Sequence, residues 1–536
     1  MQKHIFANAF CSEIGYADRI MTGNDFKIAF IGAGSVGFTR KILRDTLVVP
    51  EFRNIRISFT DISEQNQDMV TQLAQRDIDA NGLDIKIHST TDRREALKYA
   101  KYIRCVVRVG GLEAFQHDVD IPLKYGVDQC VGDTLCTGGI FYAQRGINTL
   151  LDICKDIREV AAPDCLMLNY ANPMAMNTWA CNKYGGVRTI GLCHGVQNDT
   201  KLIAKAFDIP LEELDVICAG INHQKWFISL KHKGEDLTGK LLDAMEKHPF
   251  VSQEEKLRID ILKRFGYFCT ESNGHVSEYL AWYRKRLDEI NDWINMNRWI
   301  LGETGGYLRI CTESRNWFDT DFPNWLKEPP FDYKQEARSH EHGSWIIEGL
   351  ETGCVYRGHF NVVNNGVITN LPDDAIIEAP GYVDANAINM PIVGDLPLGL
   401  AGICNNSITV QRMAMEAAVH GDVDLLKQSM LLDPLTGAVC NPPEVWQMAD
   451  EMLIALEPWM PQYKDEIAKI KAYRAEVGWP IETRDDYEGA ARLKTKTVEE
   501  MAENAAEARR LARESDRGNL DNVSDSVKRI IKHMRG

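Results

Sequence analysis

From Lys27 the chain alternates short apolar runs with amphipathic stretches. KIAFI (27–31) and the run from Ile55 to Thr60 flank a glycine turn and a helix-like segment. RCVVRVGG (104–111), CLMLNYANP (165–173) and TIGLCHG (189–195) are further apolar runs that close on Gly or Asn-Pro, as strands feeding loops do. Helical stretches such as Gly146 to Val160 separate them. This alternation predicts a parallel sheet with right-handed crossovers, whose ligands gather at the C-terminal ends of the strands. From about residue 200 longer helices mix with short strands, and Asn364-Asn365-Gly366 within 354–384 signals a hairpin.

The turn Gly32-Ala33-Gly34-Ser35 sits between the first strand and a helix opening at Val36, and Gly32, Gly34 and Gly37 meet the G-x-G-x-x-G spacing. Glycine lets the backbone approach a pyrophosphate, whose charge then rests on the amides of the helix start. Asp61, at the end of the second strand, is placed to accept hydrogen bonds from a ribose diol, which favours NAD over NADP. A bare strand-turn-helix corner is the alternative; the flanking strands and the acid favour the nucleotide. The expected fold is therefore α/β: a Rossmann-like parallel sheet over 25–200, then an α+β substrate domain over 201–460 closing over it. Residues 1–24 form an N-terminal extension and 461–536 a charged helical tail, read as a solvated amphipathic helix or an oligomer contact.

Of the 536 residues 44% are hydrophobic, enough for one or two ordinary cores, and the net charge of −16 argues against nucleic-acid and anionic-membrane partners. No run approaches the roughly 20 apolar residues of a membrane span, and the first 20 residues lack a sustained apolar core for a signal peptide. The 14 cysteines show no secreted-scaffold spacing and are read as reduced thiols of a cytoplasmic protein.

Four polar clusters follow predicted strands: VGDT (131–134) with TGG (137–139), NYANP with Asn172-Pro173, Cys193-His194-Gly195-Val196, and GINHQ with Asn222-His223. Cys193 and His223 can share a divalent ion if their loops converge, leaving positions open for substrate hydroxyls. On the residues alone, a packed cysteine and a hydrogen-bonded structural histidine explain the same pattern.

In order, GAGS, the aspartate after strand two, GDT-x-x-x-GG, NP-M, CHGV and GINH resemble glycoside hydrolase family 4, over roughly residues 25 to 460. LNYANPMAMNTWA, YFCTES and VDAN bring the resemblance nearest to its bacterial α-galactosidases and α-glucosidases. That family departs from the two-carboxylate scheme of most glycosidases. The resemblance implies a fold related to lactate and malate dehydrogenases, NAD, a divalent metal such as Mn²⁺, and a dimer or tetramer. It also implies hydrolysis of an α-glycoside by transient oxidation at C3, deprotonation at C2, elimination, water addition and return of the hydride. Residue by residue, Cys193 and His223 match the metal ligands, Asn172 a contact to sugar hydroxyls, and Asp133 a carboxylate of acid catalysis. His194 stands near the departing group, and Asn222 joins Asn172 as a substrate contact. Glu271 and Tyr279 are both candidates for the C2 base.

Two departures bear on substrate. Cys136-Thr137 replaces the Gly-Pro common after the DT-Leu, and CHGV replaces CHSV, which keeps α-glucuronides and α-galacturonides open beside α-galactosides and α-glucosides. His194 and Val196 argue against a 6-phosphate. The nucleotide turn alone would also suit a net dehydrogenase, or an NAD-sensing protein without activity.

Overall fold

The computed structural model describes residues 26–294, 301–334 and 338–505, so the expected N-terminal extension and the end of the tail lie outside it. Six strands pair in parallel: β1 (Lys27–Ile31), β2 (Arg56–Thr60), β3 (Ile87–Ser89), β4 (Tyr102–Cys105), β5 (Leu166–Asn169) and β6 (Thr189–Gly191). Their order, β3-β2-β1-β4-β5-β6, is that of a doubly wound dinucleotide-binding sheet. β4 and β5 are buried along their whole length, since helices cover both faces, and this makes them read as continuous apolar runs.

The remaining strands extend this sheet in antiparallel fashion. They are β7 (Leu214–Ile221), β8 (Gln224–His232), β9 (Glu235–Asp236), β10 (Phe268–Cys269), β11 (Tyr356–Val363), β12 (Ile376–Val383) and β13 (Ile388–Asn389). β11 joins β6 where Asn361 faces Gly191, and β12, β7, β8 and β10 follow in space. A Cβ on Gly191 would stand 2.9 Å from Asn361 Cβ, so this glycine lets the two halves meet. The described strands of the C-terminal half thus continue the parallel sheet. The Asn-Asn-Gly signal marks the start of the β11–β12 connection, with left-handed backbone at Asn365 (φ 44°) and Gly366 (φ 80°).

Two sequence expectations are corrected. The apolar run 104–111 leaves the sheet at Cys105, and Gly110 and Gly111, in left-handed conformations (φ 83° and 60°), open the helix Gly111–Lys124. The cluster 131–134 follows no strand. It is a loop between that helix and Cys136–Val160, a helix starting ten residues before the expected Gly146. Gly138 and Gly139 belong to its first turn, where a Cβ would meet Gly132 O at 2.6 Å and Thr134 C at 2.5 Å. Those glycines let the Asp133 loop lie directly on the helix start.

Candidate active site

At the nucleotide turn, Gly32 (φ 82°) donates its amide to Thr60 O at 3.0 Å, and a Cβ there would meet Val106 C and O at 2.9 Å. Gly34 N donates to Asp61 Oδ2 at 2.8 Å and Ser63 N to Oδ1 at 2.9 Å. A Cβ on Gly34 would crowd Asp61 Oδ2 at 3.0 Å, whereas Gly37 faces open space and is not needed for close packing. Ser35 precedes the helix Val36–Leu47 without a side-chain cap bond, which leaves the first-turn amides for an anion. The cradle therefore fits a pyrophosphate, with a diol acceptor at Asp61.

Three further chain segments converge on one point. Cys193 lies just past β6, His223 in the two-residue hairpin between β7 and β8, and Glu271 just past β10. His223 and Glu271 adopt left-handed backbone (φ 60° and 61°), uncommon for side-chain-bearing residues and seen where surrounding structure holds them. One ligand atom from each of Cys193, His223 and Glu271 lies within 4.8 Å of the other two, with Glu271 Oε1 3.6 Å from Cys193 Sγ. Thiol, imidazole and carboxylate together suit a divalent transition-metal ion. Burial pushes the Cys193 thiol well up and the His223 imidazole down. Burial also works against the Glu271 carboxylate, but His223 and Lys225 outweigh it and hold the acid below its ordinary range.

Lys225 and Glu378, both fully buried, pair at 3.0 Å behind this cluster, and Lys225 Nζ stands 3.6 Å from Glu271 and 4.0 Å from Cys193 Sγ. Strand register explains their meeting: Gly191, Asn361, Glu378, Gly220 and Lys225 form one row across five strands. The glycine between Glu378 and Lys225 lets the lysine reach over it. Asn222 donates to Glu378 at 3.4 Å, and its Oδ1 is buried without a partner among the described residues.

Asp133 is buried and bonded on both oxygens. Asn172 Nδ2 donates to Oδ2 at 3.0 Å, and the Thr134 hydroxyl meets Oδ1 at 2.9 Å and His223 Nδ1 at 3.0 Å. Tyr279 is buried, and its hydroxyl has no hydrogen-bond partner among the described residues; burial, with Glu278 and Asp133 nearby, keeps the phenol protonated. Glu278 accepts the amides of Val131 and, at 3.0 Å, Gly132, tying the Asp133 loop to the helix Asn273–Tyr279. His194 is half exposed and meets Glu341 at 3.2 Å, which raises its pKa. Arg108, from the loop after β4, approaches Asp133 to 3.9 Å. Lys225, Glu278, Glu341, Glu378 and Arg108 escaped the sequence reading, and Thr134 stood in the VGDT cluster without a role of its own. A lysine and a glutamate inside the apolar runs QKWF and AIIEAP were the available signals.

Residues 27–209 match the family 4 glycosyl hydrolase model, and residues 218–436 match the family 4 glycosyl hydrolase C-terminal domain. The chain is 56% identical to an α-galactosidase of Rhizobium meliloti over 479 residues, 89% of this chain and 97% of that one. It is 34% identical to an α-galactosidase of Bacillus subtilis over 82% of this chain and all of the other. Among solved structures, a 6-phospho-β-glucosidase from Thermotoga maritima, determined with manganese, NAD⁺ and glucose-6-phosphate, shares the fold. Its TM-score is 0.65 at 23% identity, over 81% of this chain and 99% of that one. Both halves of the chain match, and the glycosidase relatives align along nearly their whole length; the protein belongs to glycosyl hydrolase family 4.

Proposed function

We propose that this glycosidase hydrolyses α-galactosides with NAD and a divalent metal such as Mn²⁺. The observation that carries the reading is the convergence of Cys193, His223 and Glu271 within 4.8 Å, beside the Asp133–Asn172 pair. Its 56% identity to an α-galactosidase supports the choice of sugar, and a structure of the same fold holding NAD⁺ and manganese supports the cofactors. Gly32, Gly34, Ser35, Val36 and Asp61 hold the dinucleotide, while Cys193 and His223 hold the metal.

When bound, the two groups supply hydride exchange at the sugar C3 and Lewis-acid stabilisation of the charge that forms when C2 loses its proton. The protein positions the sugar and moves the protons. Asn172 and Asn222 orient sugar hydroxyls; Asn172 also holds Asp133 Oδ2 in place. Asp133 holds the proton destined for the leaving oxygen, with His194 nearby at the open side of the site. Glu271, in the cluster, and the buried Tyr279 hydroxyl are the two groups placed to take the C2 proton. Because burial keeps this phenol protonated, it acts as a base only with positive charge in the neighbouring cluster. The walls that bury Asp133 and Tyr279 exclude water until elimination is complete.

No disulfide joins the described cysteines, which supports a reducing, cytoplasmic setting in which Cys193 stays available to a metal. Among the described residues no helix is long and apolar enough to cross a membrane. The working unit is taken to be a homodimer or homotetramer.

Turnover of an aryl α-galactoside in heavy water, with NAD, Mn²⁺ and a thiol reductant, is the deciding experiment. The expected result is product carrying deuterium at C2, with turnover abolished by chelator and by Cys193→Ser. Turnover without exchange, or indifferent to both treatments, overturns the reading.

A further inference from the structure

Gly195 opens the helix Gly195–Phe207 with ordinary backbone angles, so its conformation does not call for glycine. What calls for it is Glu271. A Cβ on Gly195 would overlap the Glu271 Oε1 atom, the oxygen nearest Cys193 Sγ. We infer that Glu271 is a third protein ligand of the divalent ion, admitted to the site by the glycine at 195. The inference rests on the metal-dependent reading above and adds a ligand to the cysteine-histidine pair.

Two observations carry it independently of the distances among the ligand atoms. Glu271 is held in left-handed backbone (φ 61°), a conformation a glutamate keeps only where its surroundings impose it. Its oxygen is not needed to neutralise Lys225, since that lysine has a nearer partner in Glu378 at 3.0 Å against 3.6 Å for Glu271. Gly195 N meanwhile donates to Cys193 Sγ at 3.4 Å, so one residue both supports the sulfur and clears space for the carboxylate.

The test is direct metal binding by the full chain loaded with NAD, read from the loss of the free Mn²⁺ paramagnetic resonance signal. Glu271→Gln and Gly195→Ala are compared with wild type, and NAD affinity and thermal midpoint are measured alongside. Alanine is at least as good as glycine in a helix turn, so a loss in Gly195→Ala reports the displaced carboxylate and not a weakened helix. Both variants are expected to bind Mn²⁺ roughly 10- to 100-fold more weakly, with NAD affinity unchanged. Wild-type Mn²⁺ affinity in both variants overturns the inference and leaves the functional reading standing. A wild-type protein that binds no divalent ion overturns the functional reading itself, and the inference falls with it.

Discussion

The Asn172 amide donates to Asp133 Oδ2 at 3.0 Å, joining the end of β5 to a loop that precedes a helix far along the chain. Asp133 is thereby aimed, through Thr134, at the same space as His223. Asp133→Asn keeps the size and most of the hydrogen bonding but removes the transferable proton. A fall in kcat of roughly 10²- to 10⁴-fold is expected for a positioned acid, with Mn²⁺ and NAD binding unchanged. Steady-state kinetics with direct binding measurements check this, and a fall confined to metal or NAD affinity goes against it.

Gly34 has no room for a side chain, since a Cβ would stand 2.9 Å from Asn66 Cβ and 3.0 Å from Asp61 Oδ2. Gly34→Ala must shift the turn or the acid that receives the ribose. NAD affinity is expected to drop roughly tenfold or more, while Mn²⁺ affinity stays at the wild-type level. Calorimetric titration with NAD distinguishes this from a general loss of folding.

Lys225 and Glu378 are each fully buried, so removing the lysine leaves Glu378 charged and without a cation in the sheet. Lys225→Met is expected to cost about 3 to 5 kcal/mol of stability. The double change with Glu378→Leu should be less destabilised than the single one, because Glu378 then no longer stands charged without its cation. Urea unfolding of the three proteins without cofactors decides the matter; a double variant weaker than Lys225→Met contradicts it.

Burial raises the Glu278 carboxyl to about 7. Because its folded pKa lies above its unfolded value, the folded protein binds the extra proton between about pH 4.5 and pH 7. The stability it contributes is fully present below that window and is lost as pH rises through it, on the order of 3 kcal/mol in total. Relative to Glu278→Gln, the wild type should therefore weaken steadily from pH 5 to pH 7 and then level off. Unfolding midpoints of both proteins across this range provide the measurement, and a constant difference between them counts against the buried titration.

Much of the parallel half was legible in the chain because strands buried on both faces are apolar throughout, as β4 and β5 are. The loop around Asp133 follows a helix and not the expected strand, and Gly138-Gly139 lie in the first turn of the next helix. Inside Cys136–Val160 those glycines answer a packing demand, the close approach of Gly132 and Thr134, which no local pattern carries. The antiparallel extension was hidden for a similar reason, since the contact of Asn361 with Gly191 joins residues 170 positions apart.

Local chemistry determined the glycine turn, the acid at Asp61 and the polar residues Asp133, Asn172, Cys193 and His223, since each belongs to a short motif with its own geometric demand. Tertiary structure alone decided that Glu271 meets Cys193 and His223, that Gly195 makes way for it, and that Lys225 and Glu378 pair beneath them. Those contacts depend on strand register and on separate loops converging at one end of the sheet. Both properties arise from packing among distant segments, so no single stretch of sequence records them.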